Sequence, residues 1–256
     1  MPAKTRNIPG TQETHWPLSS RPGRPILTRL LVRADREFIF AAVADQRRQI
    51  ATLIDDLDDE QLAIPSLCAG WNVKTVAAHL VSVFADSFWV FMRTALRRVS
   101  MVRAIDELAW RRAQQPTAEI VATLRARADH RLSPPLFGPL DPLADILIHG
   151  GDIRIPINLP FETDPQLAAL ALDVLTGPWP FGFVPLGRLR GISLRGTDVD
   201  RSWGKGPEIR GSAAALMMTV SGRTALLHNL DGPGVPLLHQ RLQKRKPAKP
   251  RPMSAR

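Results

Sequence analysis

Asp141-Pro-Leu-Ala-Asp145-Ile-Leu-Ile-His149-Gly-Gly-Asp152 reads as the opening of a helix that carries chemistry. Asp141 suits the N-cap, and Pro142 suits the first helical position, where its missing N–H is not needed. Asp145 and His149 lie four apart and therefore share one face. Leu143, Ile146, Leu147 and Ile148 surround them, so that face is expected to look into an apolar interior. A carboxylate and an imidazole there require a partner, and a divalent metal is the usual one. Two residues do not close such a site, so a further ligand is expected elsewhere in the chain.

The helical texture extends outward from this stretch. Residues from about Ala34 to Leu57 carry Phe38, Ile39, Val43, Ile50, Leu53, Ile54 and Leu57 at spacings of three and four. The acidic run Asp55 to Glu60 ends that helix as a solvated face. Pro65 to Gly70 is a loop, and Asn72 is an N-cap for a helix to about Arg98, with Val73, Val76, Ala77, Leu80 and Phe84 on its buried side. His79 falls on that stripe. Taken alone it reads as a hydrogen-bonded core histidine; the need of Asp145 and His149 for a third donor makes it a candidate ligand. Residues 99–115 are helical in part, and Pro116 opens another helix. Four substantial helices with no strand signal predict an antiparallel four-helix bundle.

Beyond Pro156 the pattern changes. Asp164 to Leu175 predicts a short helix, and Arg188 to Thr197 alternates as a strand does. Trp203 to Pro207 reads as a turn and Glu208 to Arg210 as a short strand. Ser212 caps a helix that Ser221-Gly222-Arg223 breaks, and short helices follow. The expected fold class is α+β: a bundle at 31–158 and a smaller α+β domain at 159–243, flanked by disordered basic segments at 1–30 and 244–256.

The net charge of +10 is unevenly placed. Six basic residues face one acid in residues 1–33, and seven face none in 241–256, so the middle holds 21 basic and 23 acidic residues. The basicity belongs to the Pro-rich ends, which read as solvated arms, so nucleic acid is not the expected partner. Cys68 is the single cysteine, which excludes a disulfide framework and a Cys-based zinc motif and fits a reducing cytoplasm. Ile26 to Val32 is too short and too interrupted for a signal peptide, and Val76 to Met92 falls short of a membrane span. No membrane partner is expected, and the chain is expected to be a monomer or weak dimer.

Together, Ser66-Leu-Cys-Ala-Gly-Trp-Asn-Val with Ala78-His79-Leu80, then Asp145-x3-His149-Gly-Gly-Asp152, then Gly206-Pro-Glu-Ile-Arg-Gly and Ser221-Gly-Arg223, resemble the mycothiol-dependent maleylpyruvate isomerase family. The resemblance runs in order from about 34 to 243. It implies a DinB/YfiT-like metal-binding bundle with a small C-terminal domain over the metal cleft. It implies that His79, Asp145 and His149 hold a divalent metal, usually zinc, and that mycothiol is the thiol cosubstrate. It implies Arg223 as the catalytic arginine that the C-terminal domain supplies; Asp152 is read as a group behind the ligands, a residue that meets the other domain, or a helix-end charge. The isomerase proper has Glu where this chain has Asp145, which leaves the substrate open between isomerase and S-transferase chemistry on a small electrophile. The alternative is a non-catalytic metal-binding regulatory or interaction protein on the same scaffold.

Overall fold

The computed structural model describes residues 24–85, 88–132, 138–178, 180 and 182–244, with the backbone alone for 24–35, 85 and 88. The chain divides into two compact units, residues 1–35 and 36–256. Helix α1 runs Arg24–Asp55. It therefore begins inside the stretch expected to be a flexible extension. Pro25 does not prevent this, because a proline in the first turn forfeits an N–H that has no acceptor there.

In the second unit the acidic run does not simply end α1. Asp58 opens a short helix α2, Asp59–Ala63, through a reciprocal capping box with Gln61. Helix α3 is Val73–Ala85, and Asn72 Oδ1 accepts from Thr75 N at 2.8 Å, as its N-cap reading required. The helix expected to continue to Arg98 instead turns by 118° into a separate helix α4, Phe88–Arg98. Residues Met101–Ala113 form a complete helix α5, capped by Ser100, and α3 and α4 both pack on it. Helix α6 is Thr117–Ala126 and α7 is Leu140–Arg154. The four expected helices are thus α1, α3, α6 and α7, with α4 and α5 added. Asp141 is not the N-cap of α7; Pro139 precedes the helix and Asp141 lies in its first turn, where a carboxylate meets the positive end of the helix dipole.

The C-terminal half contains α8, Pro165–Leu175, and a three-stranded sheet of order β2-β1-β3. Strand β1 is Ser193–Gly196, β2 is Ser202–Gly204 and β3 is Glu208–Gly211. The expected strand at 188–197 is shorter because residues 188–191 are turns, and Trp203 belongs to a strand rather than a turn. Trp203 is buried, with its indole N–H donating to Asp173 at 2.8 Å. Strand β1 pairs antiparallel with β2 and parallel with β3. Helix α9, Ala213–Val220, is capped by Ser212; a 3₁₀ turn at Thr224–Asn229 and α10, Val235–Gln243, complete the chain. This is the α+β class.

Helix α7 joins the halves. It packs on α3 of the bundle and on α8 and α9 of the C-terminal half. Pro142 to Ile153 are all buried except Asp145, a pattern that marks a helix enclosed on every side. The two glycines of α7 have different roles. A Cβ at Gly150 would meet only Ile50 Cδ1, at 3.9 Å; a Cβ at Gly151 would lie 2.6 Å from Met218 Cε on α9 and 3.2 Å from Phe161 Cζ. Gly150→Ala should stabilise by about 0.5–1 kcal/mol by relieving chain entropy. Gly151→Ala should destabilise by about 1–3 kcal/mol, since Met218 has to give way in a filled core. Denaturant midpoints of the two variants check the opposite signs. Among the described residues no single helix is long and apolar enough to cross a membrane.

Candidate metal centre

Three elements converge on one point: α3 with His79, α7 with Asp145, His149 and Asp152, and the loop that ends at Trp71. The loop is tightly specified. Ser66 N donates to Trp71 O at 2.9 Å, Gly70 takes φ +85, which only glycine adopts freely, and Leu67 N donates to Asp152 O at 3.3 Å. The indole of Trp71 is thereby held 5.0 Å from the His79 ring and 6.0 Å from the His149 ring, stacked on the latter.

His79, Asp145 and His149 each offer a ligand atom, and the three atoms lie within 4.8 Å of one another. Asp145 Oδ1 is 3.6 Å from His79 Nε2 and 3.5 Å from His149 Nε2. These separations exceed a normal hydrogen bond. They match two donors sharing a tetrahedral ion, each at about 2.0–2.2 Å and hence roughly 3.4 Å apart. Two imidazoles and one carboxylate are a donor set that zinc and other first-row divalent ions accept. The imidazoles are 7% and 8% exposed and the carboxylate 17%, so Asp145 is the member that solvent reaches. His79 Nδ1 is buried without a hydrogen-bond partner among the described residues, whereas His149 Nδ1 is 2.9 Å from Asp152 Oδ2.

Behind His149 stands a buried ion pair. Asp152, with no exposed surface, accepts from Arg223 Nε at 2.9 Å and from Nη2 at 2.6 Å, and Arg223 Nη1 donates to Ser221 O. Asp152 is thus neither a loose helix-end charge nor solvent-facing. Its carboxylate fixes the His149 ring from one side and the C-terminal half from the other. The Ser-Gly-Arg break supplies the geometry: α9 ends at Val220, Gly222 takes φ +105, and the chain reverses towards α7.

Electrostatics follow from burial and pairing. Burial pushes the Asp145 carboxyl up, but the His149 charge beside it overrides that and holds it well below the usual range. Burial opposes protonation of His149, yet Asp145 and Asp152 together raise it to about 9. Burial opposes ionisation of Asp152, and the Arg223 guanidinium overcomes it, so its carboxyl is lowered. Cys68 is pushed up to about 12 by burial, only partly offset by Arg223, which leaves it protonated and unreactive at neutral pH.

These directions set a pH dependence for chelator-treated protein. A histidine raised in the folded state contributes stability that is complete below its ordinary 6.5 and is lost as pH rises through about 9. The depressed Asp145 and Asp152 contribute stability present above 3.8 and lost on further acidification. His149 and the two depressed aspartates favour the fold between about pH 4 and 6.5, while the raised Asp141 loses its contribution as pH climbs through about 6, so chelator-treated protein should weaken from mildly acid pH towards 9, and His149→Gln should flatten the alkaline limb. Urea midpoints from pH 4 to 9 measure this. Metal affinity should run the other way, because a ligating imidazole has to give up its proton.

Other residues escaped the sequence reading. Burial raises the Asp106 carboxyl on α5, and the neighbouring Trp71 indole and His79 partly offset that rise. Asp106 sits in a helix read only as partial, beside Glu107, and nothing in its spacing singles it out. Asp141 is pushed up to about 6 by burial and by Asp145 one turn along. Arg47 is buried, donating to Ala128 O at 2.9 Å and His130 O at 2.7 Å with its guanidinium 4.8 Å over Phe84, and so closes the end of α6.

Residues 43–134 match the mycothiol maleylpyruvate isomerase N-terminal domain. The match takes in His79 and Trp71 and stops short of Asp145 and His149. A crystal structure of the mycothiol-dependent maleylpyruvate isomerase is similar, with a TM-score of 0.55 at 14% identity over 77% of this chain and 92% of that one. A mutant of the mycothiol-dependent maleylpyruvate isomerase gives 0.49 at 13% identity over the same shares. No curated protein matches. The resemblance to the mycothiol-dependent maleylpyruvate isomerase family, read first from scattered motifs, thus has a matched domain under its bundle and a shared fold across both halves.

Proposed function

We propose that the chain is a metal- and thiol-dependent enzyme of the isomerase or S-transferase type, acting on a small electrophile. The observation that carries this reading is the convergence of His79, Asp145 and His149, with ligand atoms within 4.8 Å of one another and Asp145 separated from each imidazole by a distance too long for a normal hydrogen bond and right for two donors on one ion. A divalent ion, zinc by donor type, would bind a low-molecular-weight thiol at its open position and yield a thiolate at neutral pH. Mycothiol is that thiol by likeness to the isomerase.

The chain's own residues set the geometry. Asp152 accepts the His149 Nδ1–H and so presents Nε2 to the ligand point. Arg223 spends three of its five N–H groups on Asp152 and Ser221. Two are left to orient a substrate carboxylate, with a charge held in place before substrate arrives. The aspartate at 145, one methylene shorter than glutamate, draws the ligand point towards α7 and alters the space above it, which is the reason for a substrate other than maleylpyruvate. Bundle 31–158 then supplies the ligands and region 159–243 the arginine.

The test is thermal denaturation with and without mycothiol. Saturation at about a hundred times the dissociation constant should stabilise the protein by about 2.7 kcal/mol, and a chelator should remove the effect. No shift with mycothiol at millimolar concentration, with metal bound, overturns thiol dependence and leaves the non-catalytic metal-binding module.

A further inference from the structure

Away from the metal centre, the corner between α4 and α5 joins two features that soluble surfaces seldom combine. The first is exposed apolar bulk. Trp89 is 78% exposed, Leu96 74% and Val99 91%, and Met101 and Val102 follow at 57% and 64%. Trp89 and Leu96 are seven apart on one stripe of α4, and the other three sit in the turn and the first residues of α5. The second is unbalanced positive charge. Residues 88–105 contain Arg93, Arg97, Arg98 and Arg103 and no acid. Arg93, Thr94, Arg97 and Arg111 line a cavity of about 380 Å³ beside the apolar stripe. The Glu107 carboxylate pairs with Arg97, Arg98 and Arg111 at once. Arg93 has no ion pair among the described residues.

Val99 sharpens the case. Its φ is +51, a left-handed conformation that disfavours a β-branched residue and that glycine would adopt without strain. The chain nonetheless carries an apolar side chain at this exposed tip. A second copy of this chain fits poorly, since it would set guanidinium against guanidinium. Apolar side chains with a tryptophan, ringed by arginines that outnumber the Glu107 carboxylate among them, match the headgroup layer of an anionic bilayer.

We propose that the α4–α5 corner is a peripheral docking surface for anionic membrane. The Arg93, Arg97 and Arg111 cavity takes a lipid phosphate, and Trp89, Leu96 and Val99 enter the interface. This is contact at the surface, no single helix among the described residues being long and apolar enough to span, and it is independent of the metal centre.

The test is flotation of the full chain with phosphatidylcholine vesicles, with and without phosphatidylglycerol, at 150 mM salt. Binding should require phosphatidylglycerol. The neutral double substitution Leu96→Ser and Val99→Ser should weaken it at least tenfold, as loss of two buried aliphatic groups requires. A blue shift of tryptophan emission on vesicles should be lost in Trp89→Phe. Circular dichroism and metal content confirm that the variants fold. Equal binding of the double variant would assign the affinity to the basic ends and overturn the proposal. So would no binding to phosphatidylglycerol vesicles, or a dimer without vesicles that the double variant abolishes.

Discussion

Purified protein should carry about one divalent metal ion per chain, and the His79→Ala, His149→Ala double variant should carry none. The two imidazoles supply two of the three donors, and Asp145 alone cannot close a site. Each single variant should lose most of its affinity, because the remaining carboxylate and imidazole leave two positions to water. Metal loss should also lower stability. An ion held by donors that only the folded protein brings together would convert its binding free energy into folding free energy. Elemental analysis after dialysis and melting with and without chelator are the measurements. Unchanged metal content in the double variant would sink the ligand assignment and, with it, the proposed chemistry.

Breaking the ion pair between Asp152 and Arg223 should be the most damaging change outside the ligands. Asp152→Ala leaves a guanidinium with 14% of its side chain exposed and no carboxylate, and Arg223→Ala leaves a fully buried carboxylate with only His149 beside it. Each should cost about 3–5 kcal/mol, the usual penalty for one uncompensated buried charge. The double variant should cost less than the sum, because neither charge is then stranded. Denaturant midpoints of the three variants form the cycle. Asp152→Asn keeps the shape but supports neither the charge on Arg223 nor that on His149, so stability should fall with it and metal affinity should drop about ten- to a hundredfold. A strictly additive cycle would show that the two residues act apart.

The reach of the sequence differs from one element to the next. Helix α7 was readable because four-residue spacing is a property of any helix, so Asp145 and His149 share a face whatever surrounds them. Asn72 and Ser212 were readable as caps for the same local reason. The bend after Ala85 was not, since residues 73–98 carry one continuous apolar period and no proline or glycine marks the break. It comes from the fit of α3 and α4 around α5, which is a tertiary matter. The strand at 188–197 was overextended because alternation persists through residues that here form turns.

The candidate site divides in the same way. Local spacing selected the α7 pair, and the apolar stripe of α3 put His79 on an inner face. Donor separations of 3.5 and 3.6 Å required two helices to cross at a particular height. No pattern along the chain encodes that height, because it is set by side-chain volumes between α3 and α7. Asp106, far from His79 in sequence, and Arg223, 71 residues beyond Asp152, meet the site only through packing. What the sequence by itself determined was which residues are chemically able to bind and which helical faces they occupy. Only the tertiary structure decided which of them meet, and that α7 is buried on both sides so that one helix serves the ligands and the arginine together. The physical reason is range: hydrogen-bonded helical periodicity acts over four residues, whereas close packing brings together groups that the chain keeps far apart.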